Sequence, residues 1–197
     1  MKKLFDDTKF GRVAAAIIDI IWLGILWIIC CVPVITIGAS CCALYHTIVK
    51  CIRHERGMAT KEFFRSFGRN FKTTWPISLV LAVTAVTVAM NAKFLLFYAV
   101  PLLILLPWMF PYVSRFSETV INSLKNALFL GMKNIGKTVL VDLILAVSAV
   151  ICFLIPILVP IIPGIVTMAV SYIIEPVFKE ITIRMENDEN EDKWYNE

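Results

Sequence analysis

The chain has 197 residues, of which 59% are hydrophobic and 17% are charged, and its mean hydropathy is +0.79. A soluble domain is about 45–50% apolar and about 25% charged, so this composition excludes an ordinary soluble globular domain. We therefore interpret the chain as an all-α, polytopic membrane helical bundle.

Six segments are predicted to cross the membrane as three helical hairpins. Most approach the roughly 20 residues that cross about 30 Å of hydrocarbon. The predicted spans are residues 13–31, 34–49, 75–92, 94–113, 138–156 and 160–177. The first is longer than the signal-peptide core of about 7–15 residues, so we interpret it as an uncleaved span. Residues 1–183 then form a single transmembrane domain, and residues 184–197 form an acidic cytoplasmic tail.

The basic residues predict the orientation of these spans. Of the 19 Lys and Arg residues, only Lys93 lies in a predicted external turn. The others precede span 1, fill the connections 50–72 and 114–137, or follow span 6. Because basic loops stay in the cytoplasm, we expect a multi-pass protein of a bacterial plasma membrane with both termini inside.

The first predicted turn, between spans 1 and 2, lies within the stretch "CCVPVITIGASCC", residues 30–42. Pro33 interrupts helical hydrogen bonding, and Gly38 tolerates backbone angles that other residues avoid. The small residues after the turn suit close helix packing, and hydroxyl groups can bridge membrane helices. The residues assigned to this turn and packing surface are Pro33, Thr36, Gly38, Ala39, Ser40 and Ala43.

Four cysteines flank the same turn: Cys30, Cys31, Cys41 and Cys42. A metal site and a disulfide such as Cys31–Cys41 are both conceivable there. The favoured interpretation is that the cysteines serve as small packing residues, since a free buried cysteine behaves as a small hydrophobe.

Two connections contain amphipathic helices, predicted at 60–72 and 117–135. The first combines a phenylalanine stripe with basic residues, which is typical of a helix lying at a membrane interface. It is either a docking surface for a cytoplasmic partner or a helix that rests on lipid. Its residues are Phe63, Phe64, Arg65, Phe67, Arg69, Phe71 and Lys72. The second has a weaker apolar stripe that includes Ile121, Leu128 and Met132, with Ser117 as its expected N-cap.

The two connections and the spans after them also resemble each other. Residues 69–86 align without a gap on 133–150, which matches Asn70 with Asn134 and Thr74 with Thr138. The alignment predicts that spans 3–4 and 5–6 repeat one unit, as occurs in many transporters and also in passive scaffolds.

Three carboxylates fall within or at the edges of the spans: Asp19, Asp142 and Glu175. An acid inside the membrane is a candidate functional residue. These acids could form a proton- or cation-linked site open to the cytoplasm, or they could be paired with basic residues such as Arg12, Lys133 or Lys137.

The chain has none of the motifs that bind phosphate, activate a serine nucleophile or ligate zinc. We therefore predict no enzymatic activity, no nucleotide-driven motor, no cofactor, no metal site and no nucleic-acid partner. The expected partners are the lipid bilayer and other membrane proteins.

The stretch "LWIICCVPVITIGASCCALYHTIVKCIRHERG", followed by "FFRSFGRNFKTTW", resembles the YesL-like bacterial membrane proteins. The residues that carry the resemblance are Pro33, Thr36, Gly38, Ala43, Leu44, Tyr45, Phe64, Phe67 and Phe71. The resemblance implies a role near carbohydrate uptake, as an accessory or scaffold subunit beside ABC permease subunits. The alternative is a small secondary transporter or channel that uses an acidic, cytoplasm-facing site.

Overall fold

A computed structural model describes residues 9–54, 58–90, 95–116 and 118–195. These residues form seven α-helices and no strand, which confirms the all-α prediction for the described part of the chain. The helices are α1 (Lys9–Cys31), α2 (Ile37–Thr47), α3 (Ala59–Met90), α4 (Leu95–Arg115), α5 (Val120–Lys133), α6 (Ile135–Leu154) and α7 (Ile162–Tyr195). Short 3-10 turns, Val34–Thr36 and Pro156–Leu158, precede α2 and α7, and the π-helical stretch Ile48–Arg53 extends α2.

Three helical stretches among the described residues are long and apolar enough to cross a membrane: Val34–Arg53, Ile135–Leu154 and Ile162–Ile183. The stretch Ala15–Cys31 of α1 is apolar but shorter. Apolar helices of this length support a membrane protein. They account for three of the six predicted spans, and the arrangement in three hairpins stays a prediction.

The turn between α1 and α2 is bent at Pro33, as the sequence predicts. Pro33 has extended backbone angles (φ −78°, ψ 123°) and separates the end of α1 from the 3-10 turn. The Thr36 hydroxyl lies 2.6 Å from the carbonyl oxygens of both Cys30 and Pro33. Ser40 then donates to the Thr36 carbonyl at 2.9 Å. Side-chain hydroxyl groups thus satisfy backbone oxygens at the end of one helix and the start of the next.

The structure corrects the role predicted for Gly38, which lies inside α2 rather than in the turn. Its N–H donates to Ser78 Oγ of α3 at 3.0 Å. A Cβ at this position would lie 2.6 Å from the same oxygen and 3.1 Å from Thr74. Glycine is therefore required for the close approach of α2 and α3.

The small residues after Gly38 form the most buried surface of the bundle. Ala39, Ser40, Cys42 and Ala43 each have 0% of their surface exposed. They pack against α3 and α4, and Cys42 Sγ lies 3.3 Å from the Phe110 carbonyl oxygen. Their burial is the arrangement expected of small residues in close helix packing.

The helix α3 is continuous through the predicted amphipathic segment 60–72 and the predicted third span. Its 32 residues measure about 48 Å at about 1.5 Å per residue, longer than the hydrocarbon layer. Phe63 at its start is fully buried in a cluster with Leu23, Leu44 and Ile48. The prediction of a separate surface helix is therefore wrong. The segment is part of a longer helix, and part of its apolar stripe packs on the protein itself.

A second core joins α4, α5, α6 and α7. Trp108 is fully buried and donates from Nε1 to Thr138 Oγ1 at 2.9 Å, across α4 and α6. Its ring packs edge-on against Phe178 of α7, with centroids 6.2 Å apart. Gly131 of α5 lies directly against the backbone carbonyl of Ile104. The second predicted amphipathic helix is therefore anchored to the bundle by its small residues.

The apolar stripe of α5 faces away from the bundle. Ile121 is 65% exposed and Met132 is 62% exposed. The helix begins after Thr119, and the predicted N-cap Ser117 lies outside the described residues. An anchored helix with an exposed apolar stripe is the arrangement expected at a lipid interface.

A test of close packing uses two glycine-to-alanine variants. A Cβ at Gly24 of α1 would overlap the Pro160 carbonyl oxygen, whereas one at Gly68 of α3 would meet no atom within 4 Å. We expect Gly24→Ala to cost about 1–3 kcal/mol through overpacking. Gly68→Ala is expected to gain about 0.5–1 kcal/mol through helix propensity. Thermal unfolding in detergent, followed by tryptophan fluorescence, measures both, and equal midpoints would contradict the proposed contact.

Candidate anion-binding site

A polar cavity of about 490 Å³, the cationic cavity, lies where α2, α3, α4 and α7 meet. It brings together the π-helical end of α2, the first half of α3, the last turn of α4 and the middle of α7. Its lining is Tyr45, His46, Val49, Lys50, His54, Arg69, Ser114, Arg115 and Glu175. Three of these side chains are cationic and one is an acid.

The π-helical stretch Ile48–Arg53 sets the α2 wall of this cavity. The His54 N–H bonds to the Val49 carbonyl at 3.2 Å, five residues earlier, which is the π-helical spacing. Such widened turns are rare and are frequent at functional sites. Here the turn places Val49, Lys50 and His54 on the same wall.

Glu175 is the acid of the cavity and is already matched by a cation. Its carboxylate forms an ion pair with Arg115 and accepts a hydrogen bond from Tyr45 Oη at 3.1 Å. Only 12% of the Glu175 side chain is exposed. This ion pair corresponds to the alternative in which the acids are paired with basic residues, and the partner is Arg115.

Lys50 has a carboxylate partner just outside the cavity. Its Nζ lies 2.7 Å from Glu62 Oε2 near the start of α3. The hydrogen bond from Lys50 lowers the pKa of the Glu62 carboxyl, because it stabilises the charged form. Arg65 adds a longer contact to the same carboxylate at 3.7 Å.

Arg69 is the cation that leaves the cavity with excess positive charge. Its Nη2 donates to the Ser114 carbonyl at 3.0 Å, and no carboxylate among the described residues lies within ion-pair distance of it. A guanidinium has five N–H donors in a planar fork. Four donors therefore remain for a ligand, and bidentate binding of carboxylate or phosphate is the chemistry that this group favours.

The three predicted acids do not gather into one site. Asp19 is exposed on α1, Asp142 is half-buried on α6, and only Glu175 lines the cavity. The side chain of Arg12, proposed as a partner, lies outside the described residues. The arrangement therefore offers one paired carboxylate rather than a relay of acids.

The predicted interface residues are divided between three environments. Phe63 is in the core, and Phe67 and Phe71 are half-buried with ring centroids 6.0 Å apart. Phe64 is 51% exposed, and Arg65 and Lys72 are also exposed. Arg69 is exposed and lines the cavity. Residues of one predicted stripe thus contribute to the core, to the surface and to the cationic site.

The cysteines near the first turn are free thiols. Cys30, Cys31 and Cys41 are half-buried and Cys42 is buried. Among the described residues, no group of three or more His, Cys, Asp or Glu side chains is placed to hold a metal ion. The weak hydrogen bond of Cys42 to the Phe110 carbonyl fits the favoured packing role.

The sequence did not predict that these residues line one cavity. Tyr45 carried only the family resemblance, and Arg115 was one basic residue among many. The sequence did contain one signal: Lys50, Arg69 and Arg115 lie near the predicted cytoplasmic ends of spans 2, 3 and 4. Only packing of α2 against α3 and α4 brings them to one cavity.

The central pairing can be tested by neutralising its acid. Glu175→Gln leaves Arg115 without its ionic partner, and a hydrogen bond to a charged group contributes about 1.5–3 kcal/mol. Arg65→Gln is the control, since the Arg65 side chain is 72% exposed and surface pairs contribute about 0–1 kcal/mol. We expect a clear drop in thermal midpoint only for Glu175→Gln. Similar midpoints would show that the pair does not stabilise the bundle.

Residues 20–92 match a family model described as a protein of unknown function, DUF624. The match runs from α1 through α3 and includes the bend at Pro33 and the small residues of α2. No curated protein matches the chain, and no solved structure matches it.

Proposed function

We propose that the chain is a six-span, YesL-like protein of a bacterial plasma membrane, with both termini in the cytoplasm. The cationic cavity supports this topology. It brings together Lys50 from the end of predicted span 2, Arg115 just after span 4 and Glu175 near the end of span 6. Six alternating spans place these three positions on one side of the membrane, the side that retains basic residues.

We further propose an accessory or scaffold role beside the permease subunits of a carbohydrate ABC-type uptake system. The observation that carries this proposal is the exposure of α6. Only Thr138 and Val141 of its 20 residues are buried, whereas Val139, Leu143 and Val150 are each more than half exposed. A lipid-facing helix with so little contact to its own chain offers a long surface to a neighbouring membrane helix.

The composition of this surface suits such a neighbour. Between membrane helices, association depends on van der Waals packing rather than on hydrophobic burial. The α6 surface is apolar over most of its length, and the groove between α6 and α7 is lined by Leu143, Val147 and Ile165 among others. The sequence supplies no nucleotide-binding motor, so energy for uptake would come from the partner.

The transporter alternative receives less support from the geometry. A coupling site built from Asp19, Asp142 and Glu175 requires these acids to face a common pathway. Asp19 is exposed on α1, and Glu175 is neutralised by Arg115. The carbohydrate link itself is implied by the family resemblance.

The topology is tested with single cysteines in a cysteine-free background. Ile157 lies in the turn between α6 and α7 and is 80% exposed, while Lys125 is exposed on α5. In intact cells, a membrane-impermeant maleimide should label Ile157→Cys. It should label Lys125→Cys only after the membrane is permeabilised. Labelling of Lys125→Cys in intact cells would contradict the proposed topology.

The accessory role is tested by purification from native membranes in mild detergent, followed by identification of the bound proteins. We expect ABC permease subunits to co-purify with the wild-type chain. Val150→Trp on α6 should reduce their recovery by disturbing helix packing. Val83→Trp on α3 is the matched control, since the two valines are 57% and 59% exposed.

Two results would contradict the accessory role. Repeated purification without permease subunits would exclude a stable assembly. Equal recovery with Val150→Trp and Val83→Trp would exclude α6 as the contact surface.

A further inference from the structure

A second cavity lies directly against the cationic one. It has a volume of about 300 Å³ and is lined almost wholly by apolar side chains from α1, α2, α4, α6 and α7. Tyr45 lines both cavities. Each volume falls within the range of about 300–1,000 Å³ that is usual for small-molecule sites.

The two cavities follow one another in the same direction along α2. Cys41 and Leu44 line the apolar cavity, whereas Lys50 and His54 line the cationic cavity. Tyr45 lies at the boundary, with 4% of its surface exposed. Its ring contributes to the apolar wall and its hydroxyl donates to Glu175.

The same order holds on two further helices. On α4, Phe110 lines the apolar cavity and Arg115 lines the cationic cavity. On α7, Val166 and Val170 line the apolar cavity and Glu175 lines the cationic cavity. Three helices therefore form one elongated site with an apolar end and a cationic end.

We infer that this two-part site binds an anionic phospholipid. The phosphate lies in the cationic cavity against Arg69, and an acyl chain lies in the apolar cavity between α4, α6 and α7. Basic cavities between membrane helices on the cytoplasmic side bind anionic lipid headgroups. The inference takes only its orientation, with the phosphate in the cytoplasmic leaflet, from the topology proposed above.

The charges favour a headgroup with net negative charge over a zwitterionic or neutral headgroup. Lys50, Arg69 and Arg115 contribute three positive charges to the lining and Glu175 contributes one negative charge. Arg115 is held by Glu175 and Lys50 by Glu62, so Arg69 is the cation with the most donors available. Phosphate oxygens accept paired hydrogen bonds from a guanidinium.

The apolar cavity distinguishes a lipid from a water-soluble phosphate. An inorganic phosphate or a sugar phosphate has no group that would fill a space lined by Leu44, Phe110 and Val170. An acyl chain that enters from the lipid phase would fill it and exclude water. Both parts of the site are therefore needed for the inferred ligand.

The test uses the full chain reconstituted with equal amounts of phosphatidylglycerol and phosphatidylethanolamine, followed by native mass spectrometry. We expect the wild type to retain phosphatidylglycerol preferentially. Arg69→Gln should lower this retention about tenfold, the value of one charge-assisted hydrogen bond. Lys72→Gln, an exposed change one turn further along α3, should leave retention unchanged.

A second pair of variants tests the apolar end. Ala149 lines the apolar cavity, whereas Ala146 on the same helix lines neither cavity. Ala149→Phe should fill the space and reduce phosphatidylglycerol retention, and Ala146→Phe should not. Each variant should keep the thermal midpoint and elution volume of the wild type, and Arg69→Lys should restore part of the retention because it restores the charge.

Three results would overturn the inference. Equal retention of the two lipids would exclude charge selection at the headgroup. Equal effects of Arg69→Gln and Lys72→Gln would indicate general surface attraction. Displacement of phosphatidylglycerol by free inorganic phosphate, together with no effect of Ala149→Phe, would indicate a site for soluble phosphate. None of these results bears on co-purification of a permease, so the two proposals fail separately.

Discussion

Close packing of α2 through its small side chains is the contact on which the other features depend. Gly38 permits α2 to approach Ser78 and Thr74 of α3, and the fully buried Ala39 and Cys42 extend this surface along the helix. Between membrane helices, such packing replaces the hydrophobic driving force that is available in water. A larger side chain at Gly38 would move α3 and α4 away from the helix that, with its π-helical extension, contributes to the walls of both cavities.

The position of α2 also explains why charged groups lie so close to an apolar interior. Beyond Tyr45 the small residues end, the helix widens at Ile48–Arg53, and basic side chains follow. Arg53 donates to the Ser171 carbonyl of α7 at 2.9 Å, and its guanidinium lies 4.4 Å from the Tyr172 ring centroid. Arg53, like Arg69, is held by a backbone carbonyl rather than by a carboxylate of the described residues, whereas Lys50 and Arg115 are ion-paired.

A site with a cationic end and an apolar end connects the proposed function with the inferred ligand. An accessory subunit must remain oriented beside its partner, and a lipid bound between α2, α4 and α7 would fix the spacing of the helices that contact it. Ligand binding to the folded state alone stabilises that state. The exposed surface of α6 lies on a helix that also lines the apolar cavity, so the inferred lipid and the proposed partner would contact the same helix.

The sequence by itself determined the helical class, the membrane setting, the bend at Pro33 and the packing role of the small residues, because composition and local steric rules act over short distances. The aligned pairs Asn70–Thr74 and Asn134–Thr138 make the same local contact, since each threonine donates to the asparagine carbonyl four residues earlier. Only the tertiary structure decided that α3 is continuous, that Phe63 faces the core and that Glu175 pairs with Arg115. These outcomes depend on which helices meet, and residues 60 positions apart carry no periodic signal of their contact.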